Sequence, residues 1–160
     1  MCIRDRTKSY LEEISDLDYT QTIPQLSNST IGKHTRHFLE CYQCLIKQYA
    51  SGHICYDSRP RDTELETNPK TALKALEELI QQISLLDEST PLVLATNLSA
   101  DKPIQTTIHR ELLHNYEHTT HHLALIRVGF NLLKTDVVID ENFGFANSTI
   151  EHSKKVVLND

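Results

Sequence analysis

The sequence predicts an all-α protein, a bundle of amphipathic helices. Three observations lead there. Several stretches place apolar residues at i, i+3, i+4 and i+7, the period of a helix buried along one face. The chain has 160 residues with only 4 Gly, 5 Pro and no Trp, too few turn formers for a sandwich or barrel. One stretch, HRELLHNYEHTTHHLALIRVG at 109–129, reads as a single helix that holds His109, His114, His118, His121 and His122. A chain of this length suits one domain with a real hydrophobic core.

In chain order, MCIRDR at 1–6 does not blend into the residues after it; it reads as a non-native start, and no chemistry is placed there. A short helix is expected from about Lys8 to Leu17, truncated at its front because only Tyr10, Leu11 and Ile14 form its apolar face. Residues 18–30 make a polar connection with Pro24, and Ser29 or Thr30 is a good N-cap. The second helix covers about Ile31 to Ser51, with Ile31, Thr35, Phe38, Tyr42, Leu45 and Tyr49 inward and Gly52 as its stop. A charged loop comes next over 53–69, holding Tyr56, Arg59, Arg61 and Glu66; a loop of this length in a small domain is often functional.

The third helix is expected from Pro69 to about Asp87, capped by Asn68, with Leu73, Leu76, Ile80, Ile83 and Leu86 as its core face. PLVLAT at 91–96 and PIQTTI at 103–108 are β-prone runs around the turn NLSADK, and predict a small hairpin. The His-rich helix comes next and ends near Gly129 or Leu133. The tail is mostly irregular, yet Phe143, Phe145 and Ile150 are too apolar for a free end. FGFANSTI should fold back onto the bundle and cover part of the groove beside the histidines, with only the last few residues free.

Charge and hydropathy exclude some functions. The net charge of −6 gives no basic footprint for nucleic acid or an anionic membrane. No apolar run approaches a membrane span, and the first residues have no signal-peptide core. The expected location is the cytoplasm, where Cys2, Cys41, Cys44 and Cys55 would be reduced thiols. A small-molecule substrate is the expected partner, and a homodimer is left open.

His114, His118 and His122 stand four residues apart, on one face of their helix. Two imidazoles at that spacing can reach one metal ion, but the same pattern occurs on solvated faces and in cores. Bundle metal sites draw ligands from facing helices, and the second helix supplies His34 and His37. Several choices stay open. His114 can stand in for His122. Cys41 and Cys44 lie on the His37 face and allow a mixed His/Cys site, although buried structural cysteines are the simpler reading. Glu40 and Glu117 can orient an imidazole. Arg59, Arg61 and Arg110 can bind an anionic substrate, or pair with Glu64, Glu66 and Glu111 to pin the loop.

His37 followed by Phe38, Leu39 and Glu40, with HTTHH at 118–122, resembles the DinB/YfiT-like superfamily of metal-binding four-helix bundles. IGKHTRH at 31–37, YDSRPRD at 56–62, TTIHREL at 106–112, HTTHHLALI at 118–126 and FGFANST at 143–149 are similar, in order, to blocks of one branch of DinB-like proteins of unassigned activity. The resemblance covers the chain from about Tyr19 onward. It implies a four-helix bundle with a divalent metal, zinc or nickel in different relatives, held by His37, His118 and His122. Tyr56, Arg59, Arg61, Arg110, His34 and His121 are then candidates for substrate binding or for support of the ligands. Three imidazoles with open positions form a catalytic pattern. The implied activity is that of a transferase using a low-molecular-weight thiol, or of a hydrolase. The alternative is a non-catalytic, stress-associated binding bundle. Ligation by imidazoles of ordinary pKa would weaken below about pH 6.

Overall fold

The computed structural model describes residues 3–97 and 102–157. Four long helices form the bundle: α1 (Ile3–Glu13), α3 (Ile31–Gln48), α5 (Pro69–Ile83) and α6 (Ile108–Leu133). Two short helices, α2 (Asp16–Thr20) and α4 (Thr63–Thr67), fill the connections, and α7 (Asn147–Val157) ends the described chain. A three-stranded sheet sits at one end: β1 (His53–Ile54) pairs parallel with β2 (Pro91–Leu94), and β2 pairs antiparallel with β3 (Ile104–Thr107).

The helix starts obey the capping chemistry expected from the sequence. Thr30 Oγ1 accepts from Lys33 N at 2.9 Å at the head of α3. Asn68 Oδ1 accepts from Lys70 N and Thr71 N before Pro69 opens α5. Thr107 caps α6 through Arg110 N. At the end of α3 the chain tightens through a single 3-10 turn and stops at Gly52, whose φ is +73°.

Packing results from these faces. Tyr10, Leu11, Ile14, Ile31, Phe38, Leu39, Leu76, Leu79, Leu123, Ile126, Phe130 and Phe143 make one buried cluster. Leu45, Ile54, Leu92 and Ile108 make a smaller one beneath the sheet. No helix among the described residues is long and apolar enough to cross a membrane. Cys41, Cys44 and Cys55 are free thiols.

Several expectations need correction. The first helix starts at Ile3, not near Lys8, and Arg6 and Thr7 on it are buried. It also ends at Glu13. Ser15 Oγ accepts from Asp18 N at 3.1 Å and starts the separate α2, a break hidden by the continuous apolar spacing. α5 stops at Ile83: Leu85 N and Leu86 N donate three residues back, to Gln82 O and Ile83 O, instead of four, and Asp87 Oδ1 then takes Ser89 N and Oγ in a local turn. The loop after α3 is not irregular throughout: it holds β1 and α4, the latter capped by Asp62.

The hairpin forms as expected, with β1 as an unforeseen third strand; residues 98–101 of its turn lie outside the described residues, as do 1–2 and 158–160. The tail folds back, but not with both rings inward. Phe143 is 1% exposed against Tyr10 and Phe130, whereas Phe145 is 43% exposed with the Arg127 guanidinium 4.8 Å above its ring. Residues 147–157 form α7 where an irregular segment was expected. The tail packs on the α1–α6 edge, beside Leu123 and Ala124 of α6.

Candidate metal centre

The centre lies where α3 and α6 pack most extensively against each other. Helical spacing turns His37 and Cys41 to one side of α3, and His118 and His122 to one side of α6. The ring nitrogens then meet. His37 Nε2 lies 2.8 Å from His118 Nε2, and His118 Nε2 lies 3.2 Å from His122 Nε2. The ring centroids of His37 and His122 are 4.6 Å apart. His34, one turn before His37, places Nδ1 3.0 Å from His122 Nδ1. His37, Cys41 and His118 offer ligand atoms that all lie within 4.8 Å of one another, a cluster able to hold a metal ion.

Burial sets the protonation of these rings. Partial burial, reinforced by Arg59 and His118, lowers His37 to about 4. Burial and the neighbouring imidazoles lower His122 to about 3. His118 and His34 are also lowered, burial being the first cause in each. All four rings are therefore neutral near pH 7, the state that metal ligation needs. Burial pushes the Cys41 thiol up to about 11, so without a cation beside it the sulfur stays protonated.

The donor set suits a borderline divalent ion. It offers neutral imidazoles and a thiol, convergent and half-buried, with no carboxylate among them. A further buried nitrogen, His34 Nε2, has no hydrogen-bond partner among the described residues.

A second polar cluster lies further along α6 toward its N-terminus. Glu111 is buried, and its carboxylate accepts from Tyr56 Oη at 2.9 Å and from Thr106 Oγ1 at 2.7 Å. Asn115 Nδ2 donates to Tyr56 Oη at 3.3 Å. Burial and the Glu111 carboxylate raise the Tyr56 phenol far above its ordinary range, so it remains a hydrogen-bond donor. On α3, Glu40 is 2% exposed and holds the long loop: its Oε1 accepts from Asp62 N at 2.7 Å. Arg36 pairs with Glu66 at 2.6 Å from the same face.

The structure thus brings together His37, His118 and His122, with His34 behind them. His114 is exposed and stacks on His118 at 5.9 Å, so it does not replace His122. His121 is exposed beside His122. Cys44 turns away, with its Sγ directed at Cys55 O and taken by Gln48 Nε2, which leaves Cys41 as the thiol at the centre. Glu117 is exposed, and no hydrogen bond or ion pair among the described residues ties it to a histidine. Arg59 lies against His37, with Nη2 2.8 Å from Nδ1. Arg61 and Arg110 are exposed, and no hydrogen bond or ion pair among the described residues ties either to the histidines. The expected arginine pairs with Glu64, Glu66 and Glu111 do not form: Arg59 faces Glu40, Arg36 takes Glu66, and hydroxyls take Glu111.

Sequence reasoning missed Glu111 and Asn115 as buried polar groups. Their signal was present: Glu111, Asn115, Thr119 and His122 recur at i+4 and i+3, a polar line down the buried face of α6.

A helical bundle with imidazoles converging between two facing helices defines a class, the metal-binding helical bundles. The sequence profile of the DinB superfamily matches residues 3–126, and the chain belongs to that superfamily, whose members often bind metals. Neither the curated proteins nor the solved structures contain a match to the chain.

Proposed function

We propose that the protein is a divalent-metal-dependent enzyme whose ion is held by His37, His118 and His122. The supporting observation is the meeting of their three Nε2 atoms, at 2.8 and 3.2 Å, between α3 and α6. Zinc and nickel both suit imidazole donors. A bound ion of this kind supplies Lewis acidity: it acidifies a water, polarises a carbonyl or holds a thiolate. The protein's own groups bind and orient. Arg59 brings a fixed positive charge to the edge of the centre, and Tyr56 keeps its proton beside Glu111. Such a set suits a transferase acting with a low-molecular-weight thiol, or a hydrolase, on a small cytoplasmic substrate.

Metal analysis of protein purified without a His tag tests this directly. About one equivalent of metal is expected, lost when Ala replaces His37, His118 or His122 and kept in His152→Ala. Full metal retention by His118→Ala would sink the assignment.

Cys41 favours a second reading. A Cys41 thiolate beside His37 and His118 would take a position that a catalytic site keeps open and make the ion structural, in a non-catalytic binding bundle. Cobalt substitution separates the two. A sulfur-to-cobalt charge-transfer band that vanishes in Cys41→Ser supports the closed site. Absence of that band in the wild-type protein supports the open, catalytic one.

A further inference from the structure

Arg59 reaches three groups at once. Its Nη1 donates to Tyr56 O at 2.9 Å, its Nη2 lies 2.8 Å from His37 Nδ1, and its Nε lies 3.7 Å from Glu40 Oε2. A guanidinium has only N–H donors and does not lose its proton. His37 Nδ1 must therefore be the acceptor. A neutral imidazole carries one N–H, so the proton of His37 sits on Nε2.

The consequence runs through the cluster. His37 Nε2 donates to His118 Nε2, which must be bare, so His118 carries its proton on Nδ1. His122 Nε2 faces that same bare nitrogen and must donate to it. His122 Nδ1 then accepts from His34 Nδ1. The chain of protons ends at His34 Nε2, the buried nitrogen without a partner. One arginine orders four rings. It leaves His37 and His122 with protons on the very nitrogens that face the centre, where a ligand needs a lone pair.

Two buried atoms stand ready for another arrangement. Arg59 Nε and Glu40 Oε2 are both without a hydrogen bond among the described residues, and they face each other. We infer that Arg59 is a gate on the metal centre: its bond to His37 holds the metal-free tautomers, and loading requires Arg59 to leave His37 for Glu40. The inference rests on the reading of the cluster as a metal site. When Arg59 leaves, His37 and His122 each move one proton from Nε2 to Nδ1 and His34 moves its proton from Nδ1 to Nε2, all through solvent, and no net proton is taken up. His122 then donates to His34 Nδ1. Glu40 also holds Asp62 N, so the loop that carries Arg59 is tied to the carboxylate that would receive it. Arg59 is a positioning residue here, acting on the centre through His37.

The test uses the full chain stripped of metal, with Zn(II) affinity measured by chelator competition. Arg59→Gln is expected to bind zinc roughly tenfold or more tightly, the scale of one charged hydrogen bond. Arg61→Gln, which removes a charge from the same loop without touching His37, is expected to match wild type. An Arg59→Gln affinity equal to or weaker than wild type overturns the gate, and so does an equal gain in Arg61→Gln, which would reduce the effect to charge. Nitrogen-15 NMR of the histidine rings needs no variant: the metal-free wild type should carry the His37 proton on Nε2, and the zinc form on Nδ1. A proton already on Nδ1 without metal overturns the inference. If neither wild type nor Arg59→Gln binds zinc, the metal reading falls and the gate with it. Tight and equal binding by both overturns the gate alone.

Discussion

Gly144 is the point at which the C-terminal segment is fastened to the helix that carries His118 and His122. Its φ is +76°, and a Cβ placed on it would lie 2.6 Å from Ala124 Cα, 2.7 Å from Ala124 N and 2.9 Å from Leu123 C. These are backbone atoms of α6, immediately after His122. They cannot move aside without bending a helix whose next inward residues, Leu123 and Ile126, are fully buried. Gly144→Ala therefore meets two penalties. The left-handed backbone costs an L-residue about 1–2 kcal/mol. Forcing a methyl group into a closed contact adds about 1–3 kcal/mol.

Gly52 separates the two. It has nearly the same backbone, φ +73°, but nothing lies within 4 Å of its Cβ position. Gly52→Ala meets the backbone penalty alone, and the loss of chain entropy in the unfolded state is common to both variants. Gly144→Ala should thus be less stable than Gly52→Ala by about 1–3 kcal/mol. For a chain of this size that is about 2–12 °C in Tm. Urea and thermal unfolding of metal-stripped protein, followed by far-ultraviolet circular dichroism, measure the difference without metal linkage. Limited proteolysis between Asn142 and Ile150 should quicken in Gly144→Ala only. Equal stability of the two variants would refute the reasoning, because it would mean that the segment is not seated on α6.

Three further outcomes rest on the buried polar groups. Burial lowers His37 to about 4 and His122 to about 3, from 6.5, so between the lowered and ordinary values the unfolded chain binds more protons than the folded one. Stability of the metal-free protein should then fall as pH drops from about 6.5 toward about 4, and an unchanged urea midpoint between about pH 7 and pH 5 would show that the rings titrate normally. The same lowering keeps the ligand nitrogens neutral to lower pH, so metal release should begin well below the roughly pH 6 that free imidazoles imply. Tyr56→Phe removes a donor from buried Glu111 and the acceptor of Asn115 Nδ2; it should cost about 1–3 kcal/mol in chemical denaturation, and a change under about 0.5 kcal/mol would mean that water replaces the hydroxyl.

The parts of the fold that were legible are those decided by local chemistry. Thr30, Asn68 and Pro69 marked helix starts because a side-chain oxygen satisfies orphan amides within three residues, and no distant partner is needed. The hairpin was legible for the same reason. The break at Ser15 was not, because its apolar spacing continues across the break, and only a side chain competing for Asp18 N ends the helix. β1 was illegible because two residues carry no periodicity; His53 and Ile54 become a strand only when β2 supplies the parallel partner. Phe145 was misplaced because alternation along FGF implies strand geometry, whereas the positive φ of Gly144 turns the chain and sends the second ring over Arg127.

The candidate site divides along the same line. Spacing alone put His118 and His122 on one face of α6, and the resemblance put His37 opposite them. Which groups would surround them depended on tertiary contacts that spacing does not encode. Arg59 lies 22 residues from His37 and reaches it only because Glu40, buried on α3, holds Asp62 and fixes the loop. Glu40 itself resembles a solvated acid in the sequence, one residue after a run of apolar side chains. Its burial makes sense only with Arg36 and Arg59 both within 4 Å, since a buried carboxylate without cations would be costly. That requirement gives the centre its order: the acid buried for the loop's sake is also the acceptor that can draw Arg59 away from His37.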